Sequence, residues 1–196
     1  MMFFADEPDP LDAAPMDEPP RDPRHGPAED ELPGVLGYGL RWGSSANAMV
    51  VIEAARVFSD GVMFQVGRQL RRGDLSVRAF QQLVHEDHFY ASDEDRRARL
   101  RYGAVLADGQ HVTDGYPFGR DSEGTGAVLM RHGGGGGGGA SSYRYTDELW
   151  LHPLPPEGPL ELVVQWPSLR LPEQRVALPA TDMLQAAEQV TALWPD

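Results

Sequence analysis

The chain has 196 residues, 41% of them hydrophobic, no cysteine and a formal net charge of -13, a size suited to one ordinary domain with an appendage. The lack of cysteine excludes disulfides, thiolate metal ligands and cysteine nucleophiles, and it fits a reducing, cytoplasmic setting. An acidic chain repels phosphate backbones and anionic lipid heads, so neither nucleic acid nor a membrane is an expected partner.

Residues 1–33 hold ten carboxylates against Arg21 and Arg24, and so carry -8 of the charge. Met1-Met2-Phe3-Phe4 runs straight into Asp6 and Glu7, without the basic stretch and long apolar run of a signal peptide. From Ala5 to Pro33 there are eight prolines, with Leu11, Met16 and Leu32 almost alone as large apolar side chains. Such a segment buries too little surface to offset its ordering entropy, which predicts a disordered acidic tail over 1–33 and a folded domain over 34–196.

The folded part opens near Val35. Ala48 to Phe58 is an apolar, β-branched run, Ser59-Asp60-Gly61 is a turn, and Val62, Phe64, Val66 and Leu70 then alternate with Met63, Gln65, Gly67 and Gln69. Period two flanking Asp-Gly predicts a β-hairpin. Leu75 to Tyr90, with Val77, Phe80, Leu83 and Val84 on one side, fits either a helix or an extended loop. A second hairpin is predicted where Leu100, Tyr102, Ala104 and Leu106 lead to Asp108-Gly109 and His111 to Thr113 return. A third β region comprises Ala127 to Arg131 and Tyr143 to His152, and Gly133 to Gly139 is expected to be a flexible connector between its strands. Leu160, Leu162, Val164 and Trp166 alternate between proline-bearing brackets, and Gln174 to Leu178 supplies a last short strand. Asp182 is the expected cap of a C-terminal helix whose Met183, Ala187, Val190 and Trp194 repeat at helical spacing until Pro195. Many short strands with frequent turns and no βαβ alternation predict a mainly β fold: an antiparallel, immunoglobulin-like two-sheet sandwich with a C-terminal helix.

Leu129-Met130-Arg131-His132-Gly133 resembles the Arg-His-Gly signature of histidine phosphatases. That motif closes the first strand of an α/β domain, whereas here it lies two-thirds along a β-rich chain with glycines where a helix should start. The glycine tract lacks the fixed offsets and Lys-Ser or Lys-Thr ending of a phosphate loop, and the chain has no Gly-x-Ser-x-Gly elbow. His85 and His88 would share a helical face, but the spacing is not His-Glu-x-x-His and nothing nearby specifies a third metal ligand. Asp121 and Glu123 lie in the Gly119–Gly126 loop, which reads as solvated. Trp42, Trp150, Trp166, Tyr38, Tyr143 and Tyr145 read as core rather than as a stacking surface. No catalytic, cofactor-binding or metal-binding residue is therefore assigned, and no cofactor is expected.

The Asp-Gly hairpin after Ala48–Phe58, Tyr145-Thr146-Asp147-Glu148-Leu149-Trp150, Leu154-Pro155-Pro156-Glu157-Gly158-Pro159-Leu160, Trp166-Pro167 and Ala192-Leu193-Trp194 together resemble a group of actinobacterial proteins with no assigned activity. The likeness spans most of residues 35–195 and implies no residue role. The expected function is a non-catalytic module that binds another protein. Two alternatives stand beside it: a small-ligand binder or enzyme with a site near residues 119–142, and an acidic mimic of DNA. Convergence of Asp121, Glu123, Arg131, His132 and His152 in one pocket would favour the enzyme.

Overall fold

The computed structural model describes residues 21–85, 98–115 and 126–194, with the backbone alone for His85. Strands β2 (Gly34–Ser44), β3 (Ala48–Val57), β4 (Val62–Arg71), β5 (Arg101–Val105), β6 (His111–Gly115), β7 (Val128–Gly138), β8 (Ser142–His152), β9 (Pro159–Trp166) and β10 (Leu171–Pro179) form one sheet, in the order β10-β9-β5-β6-β7-β8-β4-β3-β2. The mainly β reading holds, but the expected immunoglobulin-like pair of sheets is replaced by this single one. What would have been two layers are joined where β6 pairs β7 in parallel over only Asp114↔Leu129 and Gly115↔Met130, while every other pairing in the sheet is antiparallel. The free edges then curl together: Trp42 on β2 donates its indole N–H to the Leu162 carbonyl on β9 at 3.1 Å, and a Cβ on Gly43 would lie 3.1 Å from Leu171 on β10. The result is a nearly closed barrel.

Period-two alternation on each strand fills its interior. Val62, Phe64 and Val66 on β4, Leu149 and Leu151 on β8, and Leu160, Leu162 and Val164 on β9 are at most 1% exposed and belong to one cluster. Burying such side chains contributes about 1.5–3 kcal/mol each, before the entropy cost of ordering them. The hairpin β3–β4 closes through Phe58 N–H donating to Gly61 O at 2.9 Å. The glycine there makes room for a neighbour, since a Cβ on Gly61 would sit 2.5 Å from the Trp150 ring. Gly109 in the β5–β6 turn has φ +86°, so its requirement is backbone conformation.

Helix α1 (Val77–His85) starts where Ser76 Oγ accepts from Ala79 N–H at 3.1 Å, and it buries Phe80 and Val84 in the barrel core. This settles the helix-or-loop choice for the first part of Leu75–Tyr90; His88 and the rest lie outside the described residues. Helix α2 (Ala180–Ala187) packs Met183 and Ala186 beside β2. Its start is preceded by Pro179, with Asp182 inside the first turn and not at the cap. It also ends earlier than expected. Tighter bonds from Gln189 N–H to Ala186 O and Val190 N–H to Ala187 O finish the helix, and Thr191–Ala192 become strand β11, paired with β1 (Glu31–Leu32). Val190 and Trp194 are therefore not on a helical face.

Two further expectations change. Gly133–Gly138 belong to strand β7, not to a connector, and pair with β8 through Gly135↔Thr146, Gly136↔Tyr145, Gly137↔Arg144 and Gly138↔Tyr143. The tyrosines explain why glycine can hold a strand here. A Cβ on Gly136 would lie 2.4 Å from the Tyr145 ring, and one on Gly138 2.9 Å from the Tyr143 ring, so the rings fill the space alternate side chains would take. Cβ atoms on Gly133, Gly135 and Gly137 would meet nothing within 4 Å. The second change is the boundary of the expected disordered tail, because residues 21–33 lie against the domain. Asp22 accepts from Arg24 N–H at 3.0 Å and caps a turn of 3-10 helix, Pro23–His25. Residues 1–20 lie outside the described residues.

Candidate functional site

Two places in this fold hold chemistry beyond packing: a charged group inside the barrel and an apolar surface outside it. Inside, Arg68 of β4 follows the inward phase of Val62, Phe64 and Val66, and Asp147 of β8 follows that of Leu149 and Leu151. Arg68 Nη2 donates to one oxygen of Asp147 at 3.0 Å and Nε lies 2.7 Å from the other, a buried ion pair. The Tyr102 hydroxyl of β5 donates to the same carboxylate at 2.6 Å. Burial, reinforced by Asp147, holds the Tyr102 phenol well above its ordinary pKa, so it remains a donor.

Arg131 of β7 lies 4.7 Å over the Tyr102 ring, donates to Leu100 O at 3.0 Å and pairs with Asp114 of β6, whose other oxygen accepts from Tyr102 N–H at 2.8 Å. The group thus ties β4, β8, β7, β6 and β5 together across the short parallel joint. Its carboxylates accept from arginine and tyrosine donors on neighbouring strands, so the arrangement links those strands from within the barrel. Removing one partner from such a buried pair costs about 3–5 kcal/mol. Arg68 also lies 4.2 Å over Tyr145, and Leu70, Leu83, Val84, Tyr143 and Trp166 complete a narrow cleft beneath α1.

The sequence-selected residues scatter. Arg131 points into the barrel, while the next residue, His132, faces outward under Gly26, with a Cβ there 3.2 Å from its ring. His152 stacks outside on Trp150 and contacts Asp60 O at 2.8 Å. These three do not share a pocket; Asp121 and Glu123 lie outside the described residues. Among the described residues no group of three or more His, Asp or Glu could hold a metal, and no helix is long and apolar enough to cross a membrane. Of the aromatics read as core, Trp42, Trp150 and Trp166 are at most 4% exposed, but Trp150 is buried outside the barrel. With Phe58, Met63 and Met130 it forms a second cluster on the outer sheet face, and its indole N–H donates to Pro23 O at 2.8 Å.

The other outer surface is open. Among the described residues, the large hydrophobics that stand exposed are Leu32 at 56%, Val35 at 68%, Val77 at 49%, Leu193 at 44% and Trp194 at 79%. All but Val77 belong to the β1–β11 ribbon or flank it in sequence: Leu32 pairs with Thr191, Leu193 N–H donates to Asp30 O at 2.7 Å ahead of Trp194, and Val35 is the second residue of β2. The ribbon is braced by Glu31, whose carboxylate accepts from Ser59 N–H at 2.9 Å. Sequence reasoning missed this surface because Trp194 falls in helical phase with Met183 and Ala187, which reads as a packed position.

No protein-family model, no curated protein and no solved structure matches the chain.

Proposed function

We propose that this domain is a non-catalytic recognition module that binds another protein through the apolar surface around the β1–β11 ribbon. The observation that carries the reading is Trp194, 79% exposed in a chain whose other three tryptophans are at most 4% exposed. Isolated exposed leucines and valines are ordinary, but an exposed tryptophan is the residue type most enriched in interface hot spots. Its large rigid ring gains contact area at small entropic cost when a partner covers it. The interior charge group supports a non-catalytic role, since its carboxylates are committed to strand-to-strand contacts. The lack of cysteine fits a cytoplasmic setting for such a module.

The test is affinity capture from the native host with wild-type protein, Trp194→Ala and Leu32→Ser, followed by identification of what is retained. A protein held by the wild type and lost by both variants is the expected result. An identical retained set for all three refutes the reading.

A further inference from the structure

We infer that the segment Arg21–Gly26 is an acid-released cover: when His132 takes up a proton, the segment lifts from β7 and β8 and Trp150 meets water. The inference concerns the opposite use of an apolar surface and is independent of the reading of the ribbon.

Three observations converge on it. First, the segment is a short surface piece docked by identifiable contacts. The Trp150 indole N–H donates to Pro23 O at 2.8 Å, Arg21 pairs with Asp60 at 2.9 Å, and the Pro23–His25 turn packs on β7 and β8. Such a piece can open while the strands beneath it stay paired. Second, a titratable ring lies under it. A Cβ on Gly26 would lie 3.2 Å from the His132 Cε1, and the His132 Nε2 is buried with no hydrogen-bond partner among the described residues. A neutral imidazole can leave one nitrogen bare, but both nitrogens of the charged ring carry N–H donors. With the segment docked, protonation therefore buries a charge and a donor with no acceptor, which release into water relieves.

Third, the surrounding groups compensate only in part. Glu148 stands opposite His132 on β8 and favours the proton, yet its carboxylate is already engaged by Arg56 of β3 at 2.5 Å. A bond with the His25 backbone also favours the proton, while the His25 side chain on the segment itself opposes it by like charge. Burial is the largest influence, so the docked ring holds its proton less tightly than an ordinary imidazole. The released ring binds the proton more readily, so docking is fully present above 6.5 and is lost as pH falls through the lower docked value.

The experiment is acrylamide quenching of tryptophan fluorescence in full-length Trp194→Phe protein, which keeps Trp42, Trp150 and Trp166, each at most 4% exposed. From about pH 7.5 to about pH 5.5 the quenching constant is expected to rise about two-fold or more, with the far-UV circular dichroism of the barrel unchanged. Trp150→Phe in the same background assigns the rise by its loss, His25→Gln shrinks it and His132→Gln abolishes it. The titration of the His132 ring, followed by NMR in otherwise wild-type protein, is expected to share the midpoint of the quenching curve. A constant that does not change with pH overturns the inference, as does an equal rise in the His132→Gln protein. A rise that comes only with loss of the barrel signal, or at a midpoint different from that of the His132 ring, also overturns it.

Discussion

Two apolar surfaces lie outside the barrel, and they meet opposite fates. Phe58, Met63, Met130 and Trp150 are buried beside the segment that carries the Pro23–His25 turn, through the Trp150 bond to Pro23. Leu32, Val35, Leu193 and Trp194 stand open, although Leu32 lies only nine residues beyond Pro23 in that same segment. The difference separates two uses of one residue type. A tryptophan under cover contributes its buried area to folding, while a tryptophan in water contributes little to folding and leaves that area for a contact still to be made. The same contrast runs along β7, where Gly134, Gly136 and Gly138 lie under tyrosine rings or backbone and their alternates face open space.

The contrast can be broken most sharply at Trp150. Trp150→Ala is expected to cost about 3–5 kcal/mol by chemical denaturation, the usual price of emptying a large buried aromatic site. A loss under about 1 kcal/mol would show that residues 21–33 do not seal that face. Next comes the glycine strand. Gly136→Ala pushes a Cβ into the Tyr145 ring and should cost about 1–3 kcal/mol, whereas Gly135→Ala, with nothing within 4 Å, should fall within about 1 kcal/mol of wild type in either direction. Equal effects would mean the two faces are not distinct.

A smaller effect is expected from pH. Burial under the Gly26 segment lowers the His132 pKa below its ordinary 6.5, the nearby Glu148 charge opposing this only in part. The unfolded chain then binds the proton more readily than the folded one. His132 therefore contributes stability that is fully present above 6.5 and is lost as pH falls through the lower folded value. Denaturation midpoints should drop between neutral and mildly acidic pH, and His132→Gln should flatten that part of the profile. The smallest effect on folding belongs to Trp194→Ala, within about 0.5 kcal/mol of wild type, because its ring packs on little.

Much of the barrel was legible where a strand has one buried face. The hairpins at Asp60-Gly61 and Asp108-Gly109 and the strand ending at Trp166 follow from period two, since each second side chain meets the core. The single, nearly closed sheet was not legible, because it depends on the two-residue β6–β7 joint and on the meeting of β2 with β9 and β10, contacts that no local pattern announces. The glycine strand was hidden because its side-chain volume is supplied by Tyr143 and Tyr145 on the neighbouring strand. The charge group left a fainter trace: Arg68 sits in phase with Phe64 and Val66, and Asp147 with Leu149, which marks both as inward. The open surface left none, since strand pairing at Thr191 overrides the helical spacing that placed Trp194 on a packed face.

The most direct test of the open surface is site-specific photocrosslinking in the native host, with a photoreactive aromatic residue at position 194 and a control at Gln69, an exposed position on β4. A heavier protein adduct formed from position 194 and absent from position 69 is the predicted result. No heavier adduct from 194, or the same adducts from both positions, would contradict the account.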